Sequence, residues 1–89
     1  MGNIVLKIMG TATGGTTPFD GQYLKECNFE AGFGTLAVDV TPFKEQARQF
    51  TTGVEALNYW KTISSTEPTR PDGKPNRPLT GVNVELEEI

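Results

Sequence analysis

The residues best equipped for chemistry sit in one run. Thr66–Thr80 reads TEPTRPDGKPNRPLT and holds four of the six prolines and three of the eight basic residues, Arg70, Lys74 and Arg77. Each arginine carries a planar fork that fits a carboxylate or a phosphate, and the lysine adds a compact charge. Asp72 and Asn76 alternate with them and supply acceptors and amide donors. Proline restricts the free chain, so an exposed segment of this kind loses little entropy on meeting a partner. Glu67 to Arg77 carries +1, against −4 for the rest of the chain. The binding candidates are therefore Arg70, Asp72, Lys74, Asn76 and Arg77. The same run also reads as a stiff crossover, with Asp72-Gly73 as a turn and the arginines paired to glutamates of the protein's own sheet. Two P-x-x-P spacings, Pro68 to Pro71 and Pro75 to Pro78, lack the flanking basic residue that SH3 domains read.

Other candidates carry less. There is no histidine, which excludes His-based general bases, Ser-His and Cys-His pairs and the commonest zinc ligand. Cys27 is the only cysteine, so no internal disulfide and no thiolate metal cluster can form. It lies on the inward row of a strand pattern and reads as a small buried apolar residue. Asp20 and Asp39 have no metal-loop spacing. Gly10 to Thr17 comes close to a phosphate-binding loop, but Thr16 stands where the lysine is needed, and Pro18-Phe19-Asp20-Gly21 spells a turn where a helix is required. Trp60 lies in the middle of an apolar helical stripe and reads as core, with Tyr59 at its margin. Glu85, Glu87 and Glu88 read as the solvated face of a strand. No cofactor is implied.

These side chains must be held by a small body. Eighty-nine residues make one domain with a thin core. A net charge of −3 gives no general attraction to nucleic acid or to an anionic membrane. The apolar run Asn3–Met9 is too short for a membrane span and lacks the basic lead of a signal peptide, so the expected compartment is the cytoplasm, where a lone thiol is at home.

Asn3–Met9 is apolar on both faces and predicts an interior strand. Gly10–Pro18 predicts a flexible Gly/Thr loop. Gln22–Phe29 predicts a second strand, with Tyr23, Lys25, Cys27 and Phe29 inward. Thr35–Val40 predicts a third, with Leu36, Val38 and Val40 inward, joined to the second as a hairpin through Glu30–Gly34. Thr41-Pro42 predicts the start of a short helix bearing Phe43, Ala47 and Phe50 on one stripe. Thr52 and Glu55 form a capping box for the next helix, whose buried face is Val54, Ala56, Leu57, Trp60 and Ile63. Val82, Val84 and Leu86 alternate with Asn83, Glu85 and Glu87 in a half-exposed last strand. The order β-β-β-α-α-β predicts an α+β domain: a mostly antiparallel four-stranded sheet with the helices on one face.

Asp20-Gly21-Gln22-Tyr23-Leu24, then Ala47 and Phe50, Glu55-Ala56, Trp60, and Thr69-Arg70-Pro71-Asp72-Gly73-Lys74-Pro75-Asn76-Arg77-Pro78-Leu79 resemble a group of small uncharacterised bacterial and phage or prophage proteins. These share a G-x-Y-L strand, an A-x-x-F…E-A helical region and an RPDG-x-PNRPL tail. The resemblance spans roughly positions 20 to 80 and implies a small accessory protein of mobile-element origin, with no activity attached. Together the residues and the resemblance lead to the expectation of a non-enzymatic module that docks on another protein through the Arg/Pro-rich run. The alternative is weak nucleic-acid binding by the same run, with Tyr59, Phe19 or Phe33 stacking on bases. Self-pairing of an exposed sheet edge would give a homodimer.

Overall fold

The computed structural model describes residues 2–30 and 37–89. They form a small α+β domain. Four strands, Ile4–Thr11 (β1), Tyr23–Cys27 (β2), Val38–Thr41 (β3) and Val82–Glu88 (β4), build one antiparallel sheet in the order β3-β2-β1-β4. The apolar first strand is interior, as its two apolar faces require. Leu6 and Ile8 point into the main core, while Val5, on the other face, is equally buried. The helix Gly53–Trp60 (α1) covers the core face through Ala56. Its start is the N-cap expected at Thr52, whose Oγ1 accepts from the Glu55 N–H at 3.1 Å.

Three expectations change on folding. The strict alternation expected for β2 is broken by a register shift between Leu24 and Glu26. Leu24 and Cys27 therefore both face the core, and Lys25 is exposed and reaches Asp39 at 3.9 Å. Tyr23 turns to the opposite face, where it meets Glu87.

The first of the two expected helices is a single 3-10 turn, Lys44–Gln46. Thr41 ends β3, and its hydroxyl accepts from the Phe43 N–H in a local turn. The chain then extends. Arg48 donates its N–H to Leu24, and Phe50 exchanges backbone bonds with Ile4, so this segment fills the gap where β1 and β2 diverge. Phe43 is left exposed, and only Ala47 and Phe50 of the stripe are buried. Backbone pairing with two strands has overridden helix propensity.

The remaining helix is also shorter than its periodicity suggested. Ile63 lies beyond its end, and both Ile63 and Val54 are exposed. Leu36, Phe33 and the turn expected at 30–34 lie wholly or partly outside the described residues. Gly10 and Thr11 belong to β1, and Thr11 closes a tight turn by bonding Gly15.

Candidate anion-binding cleft

The proline-rich run is a folded hairpin in miniature. Thr69 and Pro75 bridge across it, and the Arg70 N–H donates to the Lys74 carbonyl at 2.7 Å. The tip Arg70-Pro71-Asp72-Gly73 closes with the Gly73 N–H on the Arg70 carbonyl, and Gly73 takes φ +84°, a conformation that a side chain would strain. Asp72 Oδ1 accepts from the Lys74 N–H at 3.1 Å. Asp72 also pairs with Arg70 at 3.2 Å, so this arginine has a partner in its own loop.

Asn76 holds this hairpin to the body. It is only 4% exposed. Its side-chain amide donates to the Glu67 carbonyl at 2.8 Å, its N–H donates to Pro68, and its carbonyl accepts from Ser64. Ser64, also buried, accepts the Glu67 N–H on its hydroxyl. Beyond Asn76, Pro78–Gly81 makes a 3-10 turn whose Leu79 is fully buried, and the Thr80 hydroxyl and N–H both donate to the Arg77 carbonyl. The loop is thus anchored at both ends by buried side chains. Long ordered connections of this kind are often functional.

Between this hairpin and the end of α1 lies an open cleft of about 380 Å³. It is lined by Trp60, Lys61, Arg70, Lys74, Pro75, Arg77 and Thr80. Half of the chain's Lys and Arg residues meet here, and none of the described lining residues is acidic. Asp72, beside Arg70, offsets one of the four charges. Trp60 forms the apolar wall: it packs against the core, and its indole N–H is fixed by the Val82 carbonyl at 3.1 Å. Charges of one sign in a concavity with an apolar wall concentrate counter-ions of the other sign.

The structure brings Arg70, Lys74 and Arg77 to this cleft, with Asp72 at its edge and Asn76 beneath as the frame. Trp60, read from the sequence as core, and Lys61, which the sequence did not single out, complete it. Their signal was position: they end α1 immediately before the run, while Thr80 ends the run immediately before β4.

Tyr59 lies elsewhere. Its hydroxyl accepts from the Cys27 N–H, its ring meets Phe29 edge-on at 5.1 Å, and the Arg48 guanidinium sits 4.5 Å from its centroid. Phe19 packs against the core. Neither ring lines the cleft. Cys27 is buried, and loss of hydration pushes its thiol up to about 11, which keeps it an unreactive thiol at neutral pH.

Among the described residues, no group of three or more potential metal-binding side chains occurs and no helix is long and apolar enough to cross a membrane. The chain matches no family model, no curated protein and no solved structure.

Proposed function

We propose that this protein is a small accessory binding module, without chemistry of its own, that docks onto an acidic segment of another protein through the cleft between α1 and the Arg70–Lys74 hairpin. The observation that carries this reading is the gathering of Lys61, Arg70, Lys74 and Arg77 around Trp60 with no acidic residue among the cleft's described lining. A run of Asp and Glu residues supplies several carboxylates for these cations, and the arginines can bind them in bidentate fashion. The hairpin is already ordered, so docking does not have to freeze it. The net charge of −3 disfavours a long polyanion, while a short acidic segment meets only the local positive field. The phage or prophage setting and the cytoplasmic location belong to the same proposal. They rest on the resemblance in the RPDG-x-PNRPL run and on the lone thiol.

Trp60 is the only tryptophan, so intrinsic fluorescence reports on the cleft directly. Titration with a Glu-rich peptide should shift its emission in a saturable, salt-sensitive way. Arg70→Ala with Arg77→Ala should weaken that binding by about tenfold or more, equivalent to about 1.4 kcal/mol, without lowering the melting temperature appreciably. Equal binding by the wild type and the double variant would overturn the site. A second reading has one observation in its favour, the Trp60 ring beside four cations, which is the arrangement that single-stranded nucleic acid uses for stacking. Tighter binding of oligothymidylate than of the acidic peptide, weakening steeply with salt, would establish that reading instead.

A further inference from the structure

The Arg70–Lys74 hairpin carries its own carboxylate against one of the cleft's arginines. Asp72 divides its two oxygens: Oδ1 accepts the Lys74 N–H at 3.1 Å, and Oδ2 lies 3.2 Å from Nη2 of Arg70. The turn fixes this arrangement. The Gly73 N–H closes it on the Arg70 carbonyl, and the Arg70 N–H donates to the Lys74 carbonyl at 2.7 Å. Two residues along the chain from Arg70, the Asp72 carboxylate is thus held beside the guanidinium at an effective concentration that a free carboxylate does not reach in solution. Both side chains are nevertheless open to solvent, so the pair can exchange with an anion from outside. An exposed pair of this kind adds little to stability. Its position matters more: Arg70 lines the cleft, and Asp72 stands at its edge.

We infer that Asp72 is a built-in competitor for the cleft: its carboxylate occupies the Arg70 guanidinium in the free protein, and a ligand carboxylate displaces it in order to use that arginine. The inference rests on the reading of the cleft as a site for an acidic segment, and it adds a control on that site. A lone carboxylate meets Asp72 as a bimolecular rival to an intramolecular contact. A segment with several carboxylates is in a different position. Once Lys61, Lys74 and Arg77 hold part of it, its next carboxylate also competes from within the complex. Asp72 therefore lowers the affinity of the cleft by the strength of one exposed ion pair and leaves the cleft itself open.

Neutral replacements of Asp72 provide the test. Asp72→Asn and Asp72→Ser each keep an oxygen that can accept the Lys74 N–H, so the turn is retained while the Arg70 guanidinium is released. Binding of the Glu-rich peptide is read from Trp60 fluorescence at about 0.15 M salt, where an exposed charge acts over only about 8 Å. Each variant should bind about fivefold more tightly than the wild type, the upper range for an exposed ion pair, at an unchanged melting temperature. In an Arg70→Ala background, Asp72→Ser should change the affinity by less than about twofold, because no guanidinium remains to be released. Affinity that stays the same or falls in both neutral variants would overturn the inference and make Asp72 a residue that positions Arg70. An equal gain with and without Arg70 would also overturn it, since Asp72 would then act only as a background charge. Failure of the cleft reading looks different: the wild type and the Arg70→Ala, Arg77→Ala variant would bind the peptide equally, and both proposals would fall together.

Discussion

Two groups of cations in this protein have opposite surroundings. On the outer face of the sheet, Lys44 reaches Glu87 at 3.0 Å and Lys7 reaches it at 3.6 Å, while the Tyr23 hydroxyl donates to the same carboxylate at 3.3 Å. Lys44 also sits 6.0 Å from the centre of the Tyr23 ring. These charges are consumed by the fold: the Lys44 hydrogen bond holds the Glu87 carboxyl below its ordinary value, and that bond in turn raises the Lys44 ammonium. In the cleft, four cations gather around one tryptophan, and Asp72 offsets one of them. Satisfied cations fasten one strand to the next and to the 3-10 turn after β3. Cations gathered between the end of α1 and an anchored hairpin, against one tryptophan, give that side of the protein a local positive field. The contrast separates the structural charges from those proposed to meet a ligand.

The sharpest way to break the contrast is to remove the frame of the cleft and leave its charges in place. Asn76→Ala deletes a buried amide and the hydrogen bond that it donates to the Glu67 carbonyl. The expected cost is about 0.5–1.5 kcal/mol, read from denaturant unfolding, the range for the loss of one hydrogen bond. Binding of the Glu-rich peptide should fall as well, although every cation of the cleft is retained, because the Thr69–Pro75 bridge is no longer held to the body. A variant with full stability and full binding would show that Asn76 frames nothing.

Asn76 also shows where the sequence was legible and where it was not. The run that contains it stood out by composition, and so did the strand pattern of β1 and β4, the Thr52–Glu55 cap and the α+β class. Each of these rests on a local rule: spacing, capping or alternation. The role of Asn76 does not. Its partners Ser64, Glu67 and Pro68 come together only when the hairpin closes, so nothing in its neighbours marked it as buried. The shift in β2 was hidden for the same reason, since an irregular pairing in a strand is set by its neighbour. The stripe Phe43, Ala47, Phe50 had helical spacing, yet the segment was claimed by Ile4 and Leu24, partners remote in sequence. Trp60 was legible as a core residue, and it does pack there. Its second role, as a wall of the cleft, depends on how the chain returns through Thr80.

A smaller effect is expected on the other side of the comparison. Lys44→Ala removes the shortest contact of the outer-face group, but both partners are reached by solvent, and such pairs contribute little. The melting temperature should fall slightly, and peptide binding at the cleft should be unchanged. Peptide binding that falls as far as in the double arginine variant would erase the distinction between the two groups.

The smallest effect separates the groups by pH. The Glu87 carboxyl titrates below its ordinary value in the folded protein, chiefly through the Lys44 hydrogen bond. It therefore stabilises the fold above the ordinary carboxylate pKa, and that contribution disappears as pH falls through the lowered one. Lys44, with its pKa raised by the same bond, contributes below its ordinary value and loses that contribution only as strongly alkaline pH is approached. Glu87→Gln removes both dependences. Its melting temperature should lie slightly below that of the wild type at neutral pH, and the two curves should converge in acid, where the wild-type carboxyl is protonated. High salt should narrow the neutral-pH gap, because the pair is partly exposed. A gap that persists unchanged into acid would mean that Glu87 acts through packing and not through its charge, and the outer-face group would then no longer be an electrostatic counterpart to the cleft.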